Sequence, residues 1–118
     1  MQLNWTDLKS LDSEGVSTIS EVGGIYRLSY LNPTDGKLYV YYVGQAANLN
    51  SRLGEHQRGQ EVNVQCHKYL NGYECYFRAA GVHKDYRDGA EAALYNHFKP
   101  ECCERIPNTI PIEININN

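Results

Sequence analysis

The sequence predicts an α+β fold, a small three-stranded antiparallel sheet flanked by helices in the order ββα(α)βα. Three observations predict it. Residues 24–31 and 37–44 alternate apolar and polar positions on either side of a turn sequence, Asn32-Pro33-Thr34-Asp35-Gly36. Residues 47–58 and 89–98 carry apolar side chains at helical spacing. Residues 73–80, between those helices, return to strand composition. The chain has 118 residues, 42% hydrophobic and 21% charged, which suits one compact domain and argues against disorder.

Taken in order, residues 1–22 are polar with scattered apolar positions (Leu3, Trp5, Leu8, Leu11, Val16, Ile19). They read as an arm, with one short helical turn, packed on a domain spanning 23–118. Gly23-Gly24 punctuates its end. The hairpin follows. Pro33 presets φ and Asp35-Gly36 supplies a positive φ. With Leu31 opposite Lys37, Tyr26 falls opposite Tyr42. Directly opposed side chains share a face, with Cβ atoms about 4.5–5.5 Å apart.

The helix at 47–58 has Asn48 or Asn50 as N-cap and Gly59 beyond its end. Leu49 and Leu53 form one i,i+4 pair, and Arg52 and His56 form another on a neighbouring face. Residues 62–70 read as a second short helix ended by Asn71-Gly72, and 73–80 as the third strand. The helix at 89–98 takes Asp88 as N-cap and Pro100 as its stop. Within it, Asp88-Gly89-Ala90-Glu91 reads as a capping box. Glu91 also aligns with Leu94, Tyr95 and Phe98, the inward stripe, where a carboxylate needs a cation. The alternating isoleucines of the tail, 110 to 116, add an edge strand or dock as an extended segment.

The net charge is −3, which argues against a domain that coats duplex nucleic acid by bulk positive charge. The charge is uneven. In residues 1–23, Lys9 against Asp7, Asp12, Glu14 and Glu21 leaves −3; residues 24–100 net +2 and residues 101–118 net −2. A small basic site for one or two phosphates fits this division; a long electrostatic groove does not. Acidic flanks covering the basic middle until a partner displaces them are a further reading. No apolar run approaches the roughly 20 residues of a membrane helix, and no secretory leader is visible, so a cytoplasmic protein is expected. The four cysteines (66, 75, 102, 103) form no CxxC pair. They read as reduced, partly buried thiols rather than as a metal cluster with His67 and His97. Ten Tyr against two Phe mean that the aromatic side chains come with hydroxyls to be satisfied.

Gly24-Ile25-Tyr26, Tyr42-Val43-Gly44, Arg52, His56 and Glu91, in that order, resemble the GIY-YIG nuclease family. The resemblance runs from about Gly23 to Pro100. The first triplet matches the family name letter for letter, and the second has Val for Ile. It implies a divalent-metal-dependent endonuclease hydrolysing phosphodiester bonds in nucleic acid, DNA rather than RNA, with Mg²⁺ or Mn²⁺ as cofactor. Tyr26 would then be the general base and Tyr42 would position water or phosphate. Arg52 would balance charge on the phosphate, and His56 would bond the phosphate or a phenol or protonate the leaving oxygen. Glu91 would hold the metal. Each has a plainer reading: tyrosines packed on a sheet, an arginine paired to Glu55, a surface histidine.

Lys84 and Arg87, just before the last helix, would contact substrate backbone. Family members usually carry an Asn three residues after the Pro; here that residue is Cys103, and Asn108 lies five further on to take over its support of the site. The substitution gives a second reading, a weak or inactive scaffold that binds nucleic acid or protein. The domain fills the chain, so specificity would come from loops, a homodimer or a partner protein.

Overall fold

The computed structural model describes residues 1–60, 64–102 and 106–116, with the side chains of residues 64 and 65 also left aside. The elements run β1 (Lys9–Ser10), α1 (Ser13–Ser17), β2 (Gly24–Leu31), β3 (Leu38–Ala46), α2 (Leu49–Gln57), α3 (Val64–Gly72), β4 (Cys75–Gly81) and α4 (Lys84–Phe98). The sheet has four strands in the order β1-β4-β2-β3, not three. All its pairings are antiparallel. The additional strand comes from the arm: Lys9 and Ser10 pair with Phe77 and Tyr76. A two-residue edge strand is too short to leave a periodic trace in sequence.

The alternation of β2 sorts its side chains to two faces. Tyr26 and Leu28 join Leu49 and Leu53 of α2 and Tyr69 of α3 in one core. Ile25 joins Ala90 and Leu94 of α4 in a second core. Leu11, Val16 and Ile19 of the arm are buried in the first core and Leu3 in the second. The arm is therefore a part of the core and not a removable cover.

The hairpin register differs from the simple expectation. Leu31 pairs with Leu38, not Lys37, and a bulge between Leu28 and Ser29 shifts the register so that Ser29 faces Val40 and Leu28 faces Tyr42. Tyr26 thus faces Gly44. Each irregularity shifts the register by one residue. Their sum is even, so Tyr26 and Tyr42 stay on one face as diagonal neighbours. The bulge also puts the consecutive residues Tyr41 and Tyr42 into the same core.

Helix α2 is capped as read: the Asn48 side chain accepts from the Ser51 amide, at 3.1 Å. Helix α4 begins a turn earlier than read. His83 is its N-cap, Nδ1 accepting from the Asp85 amide at 3.2 Å, so Asp88 and Glu91 lie inside the helix and form no capping box. Gly89 lies inside the helix, where its role is packing: a Cβ there would sit 2.8 Å from Ile112 Cγ2. Among the described residues of the tail there is no strand. The tail runs extended over α4, with Ile112, Ile114 and Ile116 against the second core. The Asn115 side chain donates to the Leu3 carbonyl and its own carbonyl accepts from Trp5 Nε1, tying tail to arm.

Cys66 and Cys102 form a disulfide with Cα atoms 5.6 Å apart, which corrects the reading of reduced thiols for these two; Cys75 is a buried thiol as read. Nothing in the spacing of Cys66 and Cys102 marks them as a pair; α3 and the segment after α4 meet only in the fold. Cys103 lies outside the described residues. Among the described residues no three His, Cys, Asp or Glu side chains gather as a metal cluster. No helix among them is long and apolar enough to cross a membrane.

Candidate active site

Four of the sequence-predicted residues meet on the α2 face of the sheet. Tyr26 is wholly buried, and its hydroxyl lies 2.8 Å from His56 Nε2. Tyr42 stacks on Tyr26, ring centroids 5.9 Å apart, and meets His56 edge-on at 4.7 Å. Arg52, one turn before His56 on α2, reaches Tyr42: Nη2 lies 3.5 Å from the phenol oxygen. Its Nη1 donates to Glu55 at 2.8 Å, so the plainer pairing holds alongside. Gly44 explains the glycine of the second triplet. A Cβ there would lie 2.6 Å from the Tyr26 hydroxyl and 2.9 Å from the Tyr42 ring.

The electrostatics follow from burial. Desolvation, then the neighbouring Tyr42, push the Tyr26 phenol well above its ordinary value of 10.0, against a smaller opposing pull from Arg52. Tyr26 therefore keeps its proton at neutral pH, and the direction of its hydrogen bond with His56 follows the histidine tautomer. Burial opposes the charge of Arg52, but Tyr26, Glu55 and Tyr42 outweigh it and raise its pKa, so it stays a cation.

Glu91 enters from the other side of the sheet, on α4. It is buried, and Gln45 Nε2 donates to its Oε1 at 3.0 Å and to Asp88 Oδ1 at 2.6 Å. Gln45 follows Gly44, so adjacent residues of the edge strand β3 hold the two halves of the site. Glu91, Asp88, Pro107, Asn108 and Thr109 line a cavity of about 160 Å³. Asn108 thus shares a cavity with Glu91. Lys84 is exposed on the first turn of α4. Arg87 is half-buried and turned back on its own helix start, Nε donating to the Val82 carbonyl at 2.8 Å.

Asp88 and Gln45 were not singled out from sequence. The signal for Asp88 is its i,i+3 spacing to Glu91, hidden while Asp88 is read as a cap. Gln45 has no signal beyond adjoining Gly44.

Two solved structures match the chain. Both are crystal structures of the GIY-YIG N-terminal endonuclease domain of UvrC from Thermotoga maritima, at TM-scores of 0.54 and 0.52. The matches cover 75% of this chain and 90% and 89% of theirs, at 16% and 19% identity. The chain has a GIY-YIG-like fold. The two neighbours are a Tyr-to-Phe and an Asn-to-Ala point mutant, each described as bound to its catalytic divalent cation. No protein-family model and no curated protein matches the chain. At such identities the likeness to UvrC is one of GIY-YIG fold, and the chemistry rests on this chain's own residues.

Proposed function

We propose that the protein is a divalent-metal-dependent endonuclease that hydrolyses phosphodiester bonds in nucleic acid, DNA in preference to RNA. The observation that carries the reading is the buried phenol pair, Tyr26 and Tyr42, held by His56 with Arg52 beside it. The endonuclease domains that share the fold support it.

The residues present fit a divalent cation. Glu91 and Asp88 supply hard carboxylate oxygens, and the Asn108 amide a neutral one, around a cavity with room for waters. Glu91 is the ligand assigned, with Mg²⁺ or Mn²⁺ as the ion. A bound cation there would polarise a phosphoryl oxygen and favour hydroxide over water.

The chain's own groups do the rest. Arg52 pairs with non-bridging phosphate oxygens and offsets the charge that grows there. Tyr42, whose phenol oxygen lies 3.5 Å from Arg52 Nη2, is the phenol we place against the attacking water. Tyr26 has no exposed surface and holds its proton, so we assign it, with His56, to fixing the Tyr42 ring. This reverses the division of labour expected from the sequence. Lys84, on the first turn of α4, is kept as a contact to the substrate backbone. Arg87 is a weaker one, since its Nε already serves Val82.

The test is nicking of supercoiled plasmid and cleavage of labelled RNA with Mg²⁺ or Mn²⁺, wild type beside Glu91→Ala. The expected result is metal-dependent nicking by wild type and a loss of about 10²-fold or more in the variant. Equal activity of the two proteins would remove Glu91 from the site. Tight binding of nucleic acid with no cleavage in any metal would favour the binding scaffold instead.

A further inference from the structure

The face of the sheet turned away from Tyr26 and Tyr42 carries a second constellation. Arg27 of β2 stands directly opposite Arg78 of β4. Like charges placed side by side on a sheet repel. Arg27 is only 4% exposed. Its guanidinium carbon lies 4.9 Å from the Trp5 ring centroid and 5.1 Å from that of Phe98. Aromatic rings cover the flat faces of a guanidinium and leave its N–H edge for a ligand. That edge is not used: among the described residues, Arg27 Nη1 is buried with no hydrogen-bond partner. Arg78 is half-buried and steadied by the arm, Nη1 donating to the Thr6 carbonyl at 2.9 Å.

Both arginines line a cavity of about 170 Å³, with Ser29 as a further hydroxyl and Leu38, Val40 and Phe98 as apolar walls. Burial, then the charge of Arg78, lower the Arg27 pKa from 12.5 to about 10, which still leaves it cationic at neutral pH. A buried cation without a counter-charge is costly, and no carboxylate among the described residues lines this cavity.

We propose that Arg27 and Arg78 form a binding site for a single oxyanion, a phosphate group whose body rests against the apolar walls. Guanidinium edges bind phosphate oxygens with charge-assisted hydrogen bonds, and Ser29 adds a neutral donor. The phosphate comes as a free ion or as the terminal group of a nucleic acid. The site lies across the sheet from Arg52 and does not depend on the nuclease reading.

Thermal unfolding of the full chain tests it, with chloride replaced stepwise by inorganic phosphate at fixed ionic strength. Parallel arms use a short 5′-phosphorylated oligonucleotide and its 5′-hydroxyl counterpart. Wild type should show a saturable rise in Tm with phosphate. Arg27→Met and Arg78→Gln should weaken the apparent affinity by about tenfold or more, the loss typical of one charge-assisted contact. Arg52→Ala, on the other side of the sheet, should retain a saturable rise that Arg78→Gln then weakens in the double variant. A rise only with the phosphorylated oligonucleotide identifies a terminal phosphate as the source; a rise with inorganic phosphate as well identifies the free ion as sufficient. Arg78→Gln, at the half-buried position, keeps the result readable should Arg27→Met not fold. No rise beyond chloride, or a rise unchanged by Arg78→Gln and abolished by Arg52→Ala, overturns the proposal.

Discussion

At the scale of single residues, the proposed site turns on how its two phenols are placed. Both phenols are buried, Tyr26 completely and Tyr42 with 3% of its surface exposed, next to Arg52. Tyr42→Phe is expected to lower the cleavage rate by about 10²–10⁴-fold, the range for losing a group that handles the transferred proton. Tyr26→Phe should cost about tenfold, since it disturbs only the placement of Tyr42 and His56. Tyr26 also predicts an alkaline signature. Its folded pKa lies above the unfolded value near 10, so its contribution is fully present below pH 10 and is lost as pH rises through the folded value. Arg27 acts in the opposite sense over the same range. Its folded pKa is lowered to about 10, so its burial penalty is present at neutral pH and relieved above it. The readout is therefore the difference between wild type and Tyr26→Phe in denaturant titrations from pH 8 to 11. The variant should lose less stability over the alkaline limb.

At the scale of elements, the hairpin and the last helix show what a sequence discloses and what it hides. The period-2 pattern correctly put Tyr26 and Tyr42 on one face, although the residue pairing shifted by two. A bulge is invisible in composition, because Tyr41 and Tyr42 are equally good strand residues. A start of α4 at residue 89 rests on Asp88 as N-cap, whereas the helix begins at Lys84 and the cost of its interior Gly89 is met by close contact with Ile112. That misplacement hid Asp88. Asp88→Asn should weaken metal-supported cleavage less than Glu91→Ala, because Asp88 is exposed and Glu91 is buried; rates measured across a metal titration check the order. Leu53, wholly buried between α2 and the sheet, tests the packing. Leu53→Ala should cost about 2–5 kcal/mol in urea unfolding.

At the scale of the molecule, long-range ties were the least legible. Arm and tail meet through Asn115, Leu3 and Trp5, more than 100 residues apart in sequence. The Cys66–Cys102 disulfide closes a separation of 36 residues, and a bridge over such a loop stabilises by roughly 3–4 kcal/mol. Cys66→Ser together with Cys102→Ser should lower Tm, and reductant should lower the wild-type Tm toward the same value. The +2 middle of the chain now has two placements: Arg52 on one side of the sheet, and Arg27 with Arg78 on the other.

The central claim is that the phenol pair and Arg52 cleave a phosphodiester, and single-turnover cleavage of a labelled duplex by wild type and Tyr42→Phe tests it most directly. Both proteins should melt within a few degrees of each other. The account predicts metal-dependent cleavage by wild type and a rate reduced at least about 10²-fold by the missing hydroxyl. Cleavage of equal rate by the folded variant, or none by wild type, would contradict it.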